Sequence, residues 1–231
     1  MIKDNILRIK ERISFVCSKI GRDPESIIII AAAKARPLNQ IQDAVAAGVS
    51  DIGENRVQEA VVKYNNLSPA AYCLRPIHWH MIGHLQSNKV KEAVRIFDLI
   101  QSVDSLHLAE GINKEAQKIN KIQDILVEVN TSGESSKFGL NPQEAFETIK
   151  QILEFKNISV KGLMTIAPIA DNPDKARPYF KKLRNLMEEI NVRQNTQGAI
   201  RILSMGMSDD FEAAIEEGAN MVRLGRAIFE N

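Results

Sequence analysis

Lys34 stands directly behind seven apolar residues, Ile27 to Ala33, in the segment SIIIIAAAK. An amine at the end of such a run is placed to reach into a dry barrel mouth. Desolvation there disfavours the ammonium and can lower a lysine pKa by up to ~3–5 units. A neutral amine at physiological pH is a nucleophile that condenses with an aldehyde to give an imine. The plainer alternative is a lysine at a strand end whose charge snorkels to solvent along its own stem. On Lys34 alone, that alternative is favoured.

The C-terminal segments LSMGMSDD (203–210) and MVRLGRAIF (221–229) shift the balance. Both read as strand–turn–helix junctions, and in α/β barrels the loops after strands 7 and 8 commonly build a phosphate site. Gly225 lets the backbone approach an anion closely, and N–H groups of the Arg226–Phe229 turn would face it. Ser204 offers a hydroxyl, Arg226 adds charge, and Gly206 and Ser208 open the strand-7 turn. That these glycines serve only tight turns is an equally good reading. An imine-forming lysine on strand 1 with a phosphate cup on strands 7 and 8 suits pyridoxal 5′-phosphate (PLP), an aldehyde that carries a phosphate.

Other chemistry-bearing residues carry less. His78, His80 and His84 lie in HWHMIGH, and an H-x-H on a strand puts two imidazoles on one face. A metal site needs further ligands, and only His107 remains outside this cluster, so packing and polar contacts are the expected roles and no metal is expected. Asp209-Asp210 reads as a helix-opening pair rather than a catalytic dyad. Cys17 and Cys73 are isolated and read as structural or incidental. No GxGxxG, GxxxxGK[ST], GxSxG or HExxH string occurs.

The elements that must position these residues alternate. An amphipathic helix is expected from Ile2 to Ile20. Strand candidates follow at Ser26–Lys34, Val49–Gly53, Ile77–Ile82, Leu99–Val103, Ile125–Asn130, Val160–Ile166, Ile200–Met205 and Met221–Leu224. Helical patterns separate them at Leu38–Ala47, Val57–Tyr64, Lys89–Ile96, Leu106–Ile119, Pro142–Leu153, Asp174–Ile190 and Asp209–Glu217. Asn141-Pro142 is a helix start, Asp209 is read as another, and Gly218 as a stop. Alternation of this kind implies parallel βαβ units. Eight of them predict an α/β fold, a single (β/α)8 TIM barrel with an extra N-terminal helix spanning residues 1–231. An open doubly wound sheet is the alternative. The chemistry of such a barrel sits at the strand ends, which here carry Lys34, the GEN block with Asn55 and Arg56, His84, Ser102 and Asp104, Asn130-Thr131, Thr165, Ser204 to Gly206, and Arg223 to Arg226.

Composition closes off several classes. The 231 residues have a formal net charge of +1, which provides no basic field for nucleic acid. Aromatics at 5% leave little for base-stacking platforms, and 44% hydrophobic residues are ample for a core. The charged start MIKDNILRIKERI is not a signal peptide, and no apolar run is long enough for a membrane span. Isolated cysteines fit a reducing compartment. A cytoplasmic protein with no membrane or nucleic-acid partner is expected, with a monomer as the default.

Six blocks, in order, carry a resemblance over nearly the whole chain: AAAKARP (31–37), DIGENRVQEAVVKY (51–64), HWHMIGHLQSNKVK (78–91), LVEVNTSGESSKFGL (126–140), GLMTIAP (162–168) and the C-terminal LSMGMSDD to GRAIF (203–229). They resemble the YggS/PROSC family of pyridoxal phosphate homeostasis proteins. The resemblance implies an alanine racemase N-terminal-domain-like barrel with PLP held as an aldimine on Lys34. It implies that Asn55 lines the cofactor pocket, that Ser204 and the backbone at Gly225 and Arg226 form the phosphate cup, and that Arg223 faces the pyridine nitrogen. An arginine there keeps that nitrogen unprotonated and weakens the ring as an electron sink. The chain departs from many relatives at Arg226, where they carry a small hydroxyl residue, and at Ala35-Arg36, where they often have Thr-Lys.

The implied function is non-catalytic: a PLP-binding protein that buffers the cofactor or delivers it to apo PLP-dependent enzymes. Two alternatives stand against it, a PLP-dependent racemase or lyase and a cofactor-free aldolase using Lys34 on a sugar phosphate. Two-base racemisation needs a second acid/base facing the lysine. On this reading the sequence stops just after the eighth strand, and no β domain of the kind that supplies a tyrosine in alanine racemase is expected. Tyr64, Tyr72 and Tyr179 fall in expected helices or loops.

Overall fold

The computed structural model describes residues 1–67, 76–194 and 200–230; Tyr72 and Cys73 lie outside them. Eight parallel strands close a barrel in sequence order, with the last paired to the first. They are β1 (Ile28–Ala32), β2 (Asp51–Glu54), β3 (His78–Met81), β4 (Leu99–Val103), β5 (Gln123–Glu128), β6 (Ile158–Met164), β7 (Ile202–Ser204) and β8 (Met221–Leu224). The described helices are α1 (Ile2–Ile20), α2 (Leu38–Ala46), α3 (Val57–Asn66), α4 (Val90–Ile96), α5 (Leu106–Lys118), α6 (Pro142–Ile152), α7 (Arg177–Arg193), α8 (Phe211–Glu216) and α9 (Arg226–Phe229). The barrel expected from the alternation is the observed fold, with α1 as the extra N-terminal helix packed against α8 and α9.

Each element follows from its residues. α1 buries Ile2, Ile6, Ile9, Ile13 and Val16, which recur on one face, and ends at Gly21 in the left-handed region (φ 67°). Cys17 is buried in that same face. α6 starts where Asn141 accepts from the Gln143 N–H and Pro142 sets the first helical φ. The expected start at Asp174 is instead a 3-10 turn over Pro173–Ala176, with the α-helix beginning at Arg177.

The core has two parts. The larger fills the space between strands and helices. The smaller lies inside the barrel, where Ile30, Leu99, Leu126, Met164 and Met221 meet from five strands. Because side chains alternate along a strand, Gln101 shares the inner face with Leu99, Glu128 with Leu126, and Arg223 with Met221. The barrel interior is therefore part apolar and part polar.

Two local expectations change. β1 ends at Ala32, not Lys34: the Ala33 N–H still donates to Gly53 O (2.8 Å), and Ala35 then turns the chain at φ 55°. The helix expected to open at Asp209 also starts later. Asp210, not Asp209, precedes α8, and its Oδ1 accepts from the Met207 N–H (2.6 Å) rather than capping the helix.

Candidate functional site

The turns after β1, β2, β7 and β8 surround a cavity of about 440 Å³ at the C-terminal end of the barrel. Lys34, Asn55, Arg223, Gly225 and Arg226 all border it, so five of the six residues singled out in the sequence come together. Its apolar wall includes Ala32, Ile82 and Ile166. A second cavity, of about 590 Å³, also borders Lys34 and Asn55 and extends to Arg56, His84 and Lys89. Lys34 is exposed between the two, in the turn after β1. The desolvated barrel mouth expected for its amine is not its surrounding here, because the strand stops two residues before it.

The wall behind Lys34 is fixed by an ion pair. Lys63, on α3, donates to Glu54 Oε1 at the end of β2 (2.5 Å) and to the Ala33 carbonyl (2.8 Å). Glu54 is fully buried, and burial pushes its carboxyl up against the pull of Lys63. Asn55 follows, half-buried, and Gly83 packs onto its backbone: a Cβ at Gly83 would lie 2.5 Å from Asn55 O. The GEN block and the glycine after β3 thus hold one another.

Ser204 is the exception. It is fully buried in β7 and does not border the cavity. Its hydroxyl accepts from Arg223 Nη1 (2.6 Å) and donates to Gln101 Oε1 (2.6 Å). The hydroxyl at the cavity is that of Ser208, which accepts from the Ala227 N–H at the start of α9 (3.1 Å). Gly206 makes this possible. At φ 93°, with Ala214 Cβ and the Phe211 backbone against it, it folds the chain back towards Gly225. The GMS string held the signal, but strand period alone does not say which of two nearby serines faces out.

Arg223 is 5% exposed, and its Nη2 donates to the Thr165 carbonyl (2.8 Å). Burial pulls its pKa down to about 10 against the charges of Glu128 and Asp210, which leaves it cationic at neutral pH. Glu128 answers from β5: burial pushes its carboxyl up to about 7, Arg223 opposing and Asp104 adding to the rise. Asp210 is likewise pushed up by burial. Gln101 and Glu128 lie on strands with no local pattern to mark them, and Thr165, at the expected strand-6 end, contributes its backbone carbonyl, which no side-chain pattern marks. Arg226, on the rim, is exposed and ion-paired with Asp209.

The histidines take separate roles. His78 is exposed at the start of β3. His80 is buried between Asp51 (2.9 Å) and Gln101 (3.1 Å). His84 bonds Asp104 (3.1 Å) and stacks on Phe138 with ring centroids 3.9 Å apart. Among the described residues no three His, Cys, Asp or Glu gather as a metal site.

A closed parallel barrel with its reactive groups at the strand C-termini defines a class, and the family model "Alanine racemase, N-terminal domain" matches residues 5–230. A pyridoxal phosphate homeostasis protein of Aquifex aeolicus is 43% identical over 98% of this chain and 96% of its own. One of Escherichia coli K12 is 34% identical over 99% of this chain and 95% of its own. The chain belongs to this family of pyridoxal phosphate homeostasis proteins. PipY of Synechococcus elongatus, solved with PLP bound, superposes with TM-score 0.82 at 34% identity over 96% of this chain and 99% of its own. An alanine racemase of Clostridium difficile, at 20% identity, TM-score 0.71, 97% of this chain and 59% of its own, shares the fold.

Proposed function

We propose that the protein holds PLP as a Schiff base on Lys34 and serves as a store or donor of the cofactor, without turning over a substrate of its own. The observation that carries this reading is that Lys34 and the buried Arg223 border one cavity. The linkage balances simply: the Lys34 nitrogen forms the C=N bond and the aldehyde oxygen leaves as water. PLP supplies an aldehyde at one end and a phosphate dianion at the other, and the cavity's residues match both. Gly225, Arg226 and Ser208 would take the phosphate, where the backbone can come close and positive charge is at hand. Asn55 would border the ring on the Lys34 side. Arg223 stays cationic, so opposite the pyridine nitrogen it would keep that nitrogen unprotonated and the ring a poor electron sink.

The same assignments bear on catalysis. Tyr64 lies edge-on to Trp79 with centroids 5.9 Å apart, and Tyr179 packs against the outer core. Neither borders the cavity, which leaves both outside the role of a second base across from Lys34. Apo PLP-dependent enzymes are the proposed recipients, and the proposed working form is a cytoplasmic monomer. No helix of the described residues is long and apolar enough to cross a membrane.

The test is to add PLP to the purified protein, reduce with borohydride and map the labelled peptide. A visible band that borohydride bleaches, a label on Lys34 and loss of both in Lys34→Ala are expected. A protein that stays colourless, or a label elsewhere, would overturn the reading. Transfer to an apo-enzyme while free PLP is trapped then separates donor from store.

A further inference from the structure

Behind Arg223 a file of buried polar side chains runs through the barrel interior to its opposite end. Arg223 Nη1 meets Ser204 Oγ at 2.6 Å, Ser204 Oγ meets Gln101 Oε1 at 2.6 Å, and Gln101 Nε2 meets His80 Nδ1 at 3.1 Å. His80 Nε2 meets Asp51 Oδ1 at 2.9 Å, and the Ser50 hydroxyl donates to Asp51 Oδ2 at 2.6 Å. Ser204 and Gln101 are fully buried and His80 is 4% exposed.

The ends of this file dictate the direction of every bond. A guanidinium can only donate, so the Ser204 oxygen accepts and its proton goes on to Gln101. Gln101 must then present Oε1 to Ser204, which turns its Nε2 hydrogens to His80. Nδ1 of His80 therefore accepts, and the ring proton sits on Nε2, facing Asp51. An ionised Asp51 can only accept, which fits the far end. Burial alone would push its carboxyl up, but hydrogen bonds from His80 and Ser50 hold it below the usual carboxylate range. Reversing any one bond would set two donors or two acceptors face to face.

We infer that Ser204, Gln101 and His80 are positioning residues which, anchored on Asp51, fix the Arg223 guanidinium against the cavity that takes the cofactor ring. An apolar filling of leucine and methionine would pack this interior with no desolvation cost, as Ile30, Leu126 and Met164 do beside it. What the polar file adds is orientation, because a fully satisfied buried network has one low-energy arrangement. The Thr165 carbonyl grips the second amino group, so the guanidinium is held from two sides. The inference rests on the cavity being the PLP site, but the grip on Arg223 exists without the cofactor.

Gln101→Met is the decisive variant, since Gln101 does not border the cavity. In the PLP-free protein, exchange of the Arg223 guanidinium protons with solvent is read by NMR, with Arg223→Lys assigning the signal. Exchange at least tenfold faster in Gln101→Met is expected, and unchanged exchange would overturn the inference whether or not PLP binds. In the loaded protein, Gln101→Met should shift the cofactor absorption band in the direction of Arg223→Lys and weaken PLP binding about fivefold, the loss of roughly one hydrogen bond. Adding Gln101→Met to Arg223→Lys should then change nothing further. A Gln101→Met effect that persists undiminished in the Arg223→Lys background would mark a merely structural role and sink the inference. Ser204→Ala, a smaller cut in the same file, should reproduce the faster exchange if Gln101→Met does not fold. A wild-type protein without a PLP band would fail the functional reading alone.

Discussion

The Lys63 ammonium joins two strands at the point where the chain turns into Lys34, donating to Glu54 Oε1 at 2.5 Å and to the Ala33 carbonyl at 2.8 Å. Lys63 is itself mostly buried, so α3 braces the C-terminal ends of β1 and β2 from the surrounding helix layer. Lys63→Met would leave the Glu54 carboxylate buried without its cation, at a cost of about 3–5 kcal/mol. Glu54→Leu with Lys63→Met removes both charges and should recover most of that loss. Urea unfolding of the two variants checks it: a double variant no more stable than Lys63→Met would refute the brace.

Gly83 is where β3 permits Asn55 its place. A methyl at this position would sit 2.5 Å from Asn55 O and 2.7 Å from Asn55 Cα, both backbone atoms that cannot swing away. Gly83→Ala should therefore displace the GEN turn, with a stability loss of about 1–3 kcal/mol typical of overpacking. PLP affinity should fall with it. Wild-type thermal stability in Gly83→Ala would show that the turn yields more easily than its contacts imply.

These two cases mark what the sequence made legible. Lys34, Asn55, Gly225 and Arg226 stand at junctions where a strand pattern breaks into a turn, and a barrel brings such junctions to one end. Strand phase was harder. Ser204 and Ser208 lie in one short string, and only the left-handed turn at Gly206 decides that the second reaches the cavity. Gln101 and Glu128 were hidden for another reason. The partners of each come from strands distant in sequence, so nothing local announces it. The exposure of Lys34 follows from a β1 two residues shorter than its apolar run, because pairing with the neighbouring strands, not hydrophobicity, ends a strand.

Asp209 competes for the cation proposed to meet the phosphate. Arg226 is paired with Asp209 on the rim, both side chains largely exposed, and a phosphate dianion would have to share or displace that carboxylate. Asp209→Asn releases Arg226 and removes a negative charge from the same rim. Since exposed pairs are worth about 0.2–1 kcal/mol, PLP should bind more tightly by up to roughly fivefold, most clearly at low salt. Fluorescence titration measures it, and an unchanged or weaker affinity would take Arg226 out of the phosphate end.

Glu128 gives the barrel a pH dependence of predictable sign. Its carboxyl is pushed up from 4.5 to about 7, by burial first, with Arg223 opposing and Asp104 reinforcing. The folded state therefore binds a proton that the unfolded chain has released, throughout the interval between those two values. Stability from this group is complete below about pH 4.5 and is lost as pH rises through about 7. At 1.36 kcal/mol per unit, the loss is on the order of 3 kcal/mol. Glu128→Gln keeps the shape and removes the titration, so the PLP-free variant should gain on the wild type as pH rises from 5 to 8. Urea midpoints for both proteins across that range read the difference directly. Parallel curves would mean that Glu128 remains ionised in the fold, paired with Arg223 closely enough to offset its burial.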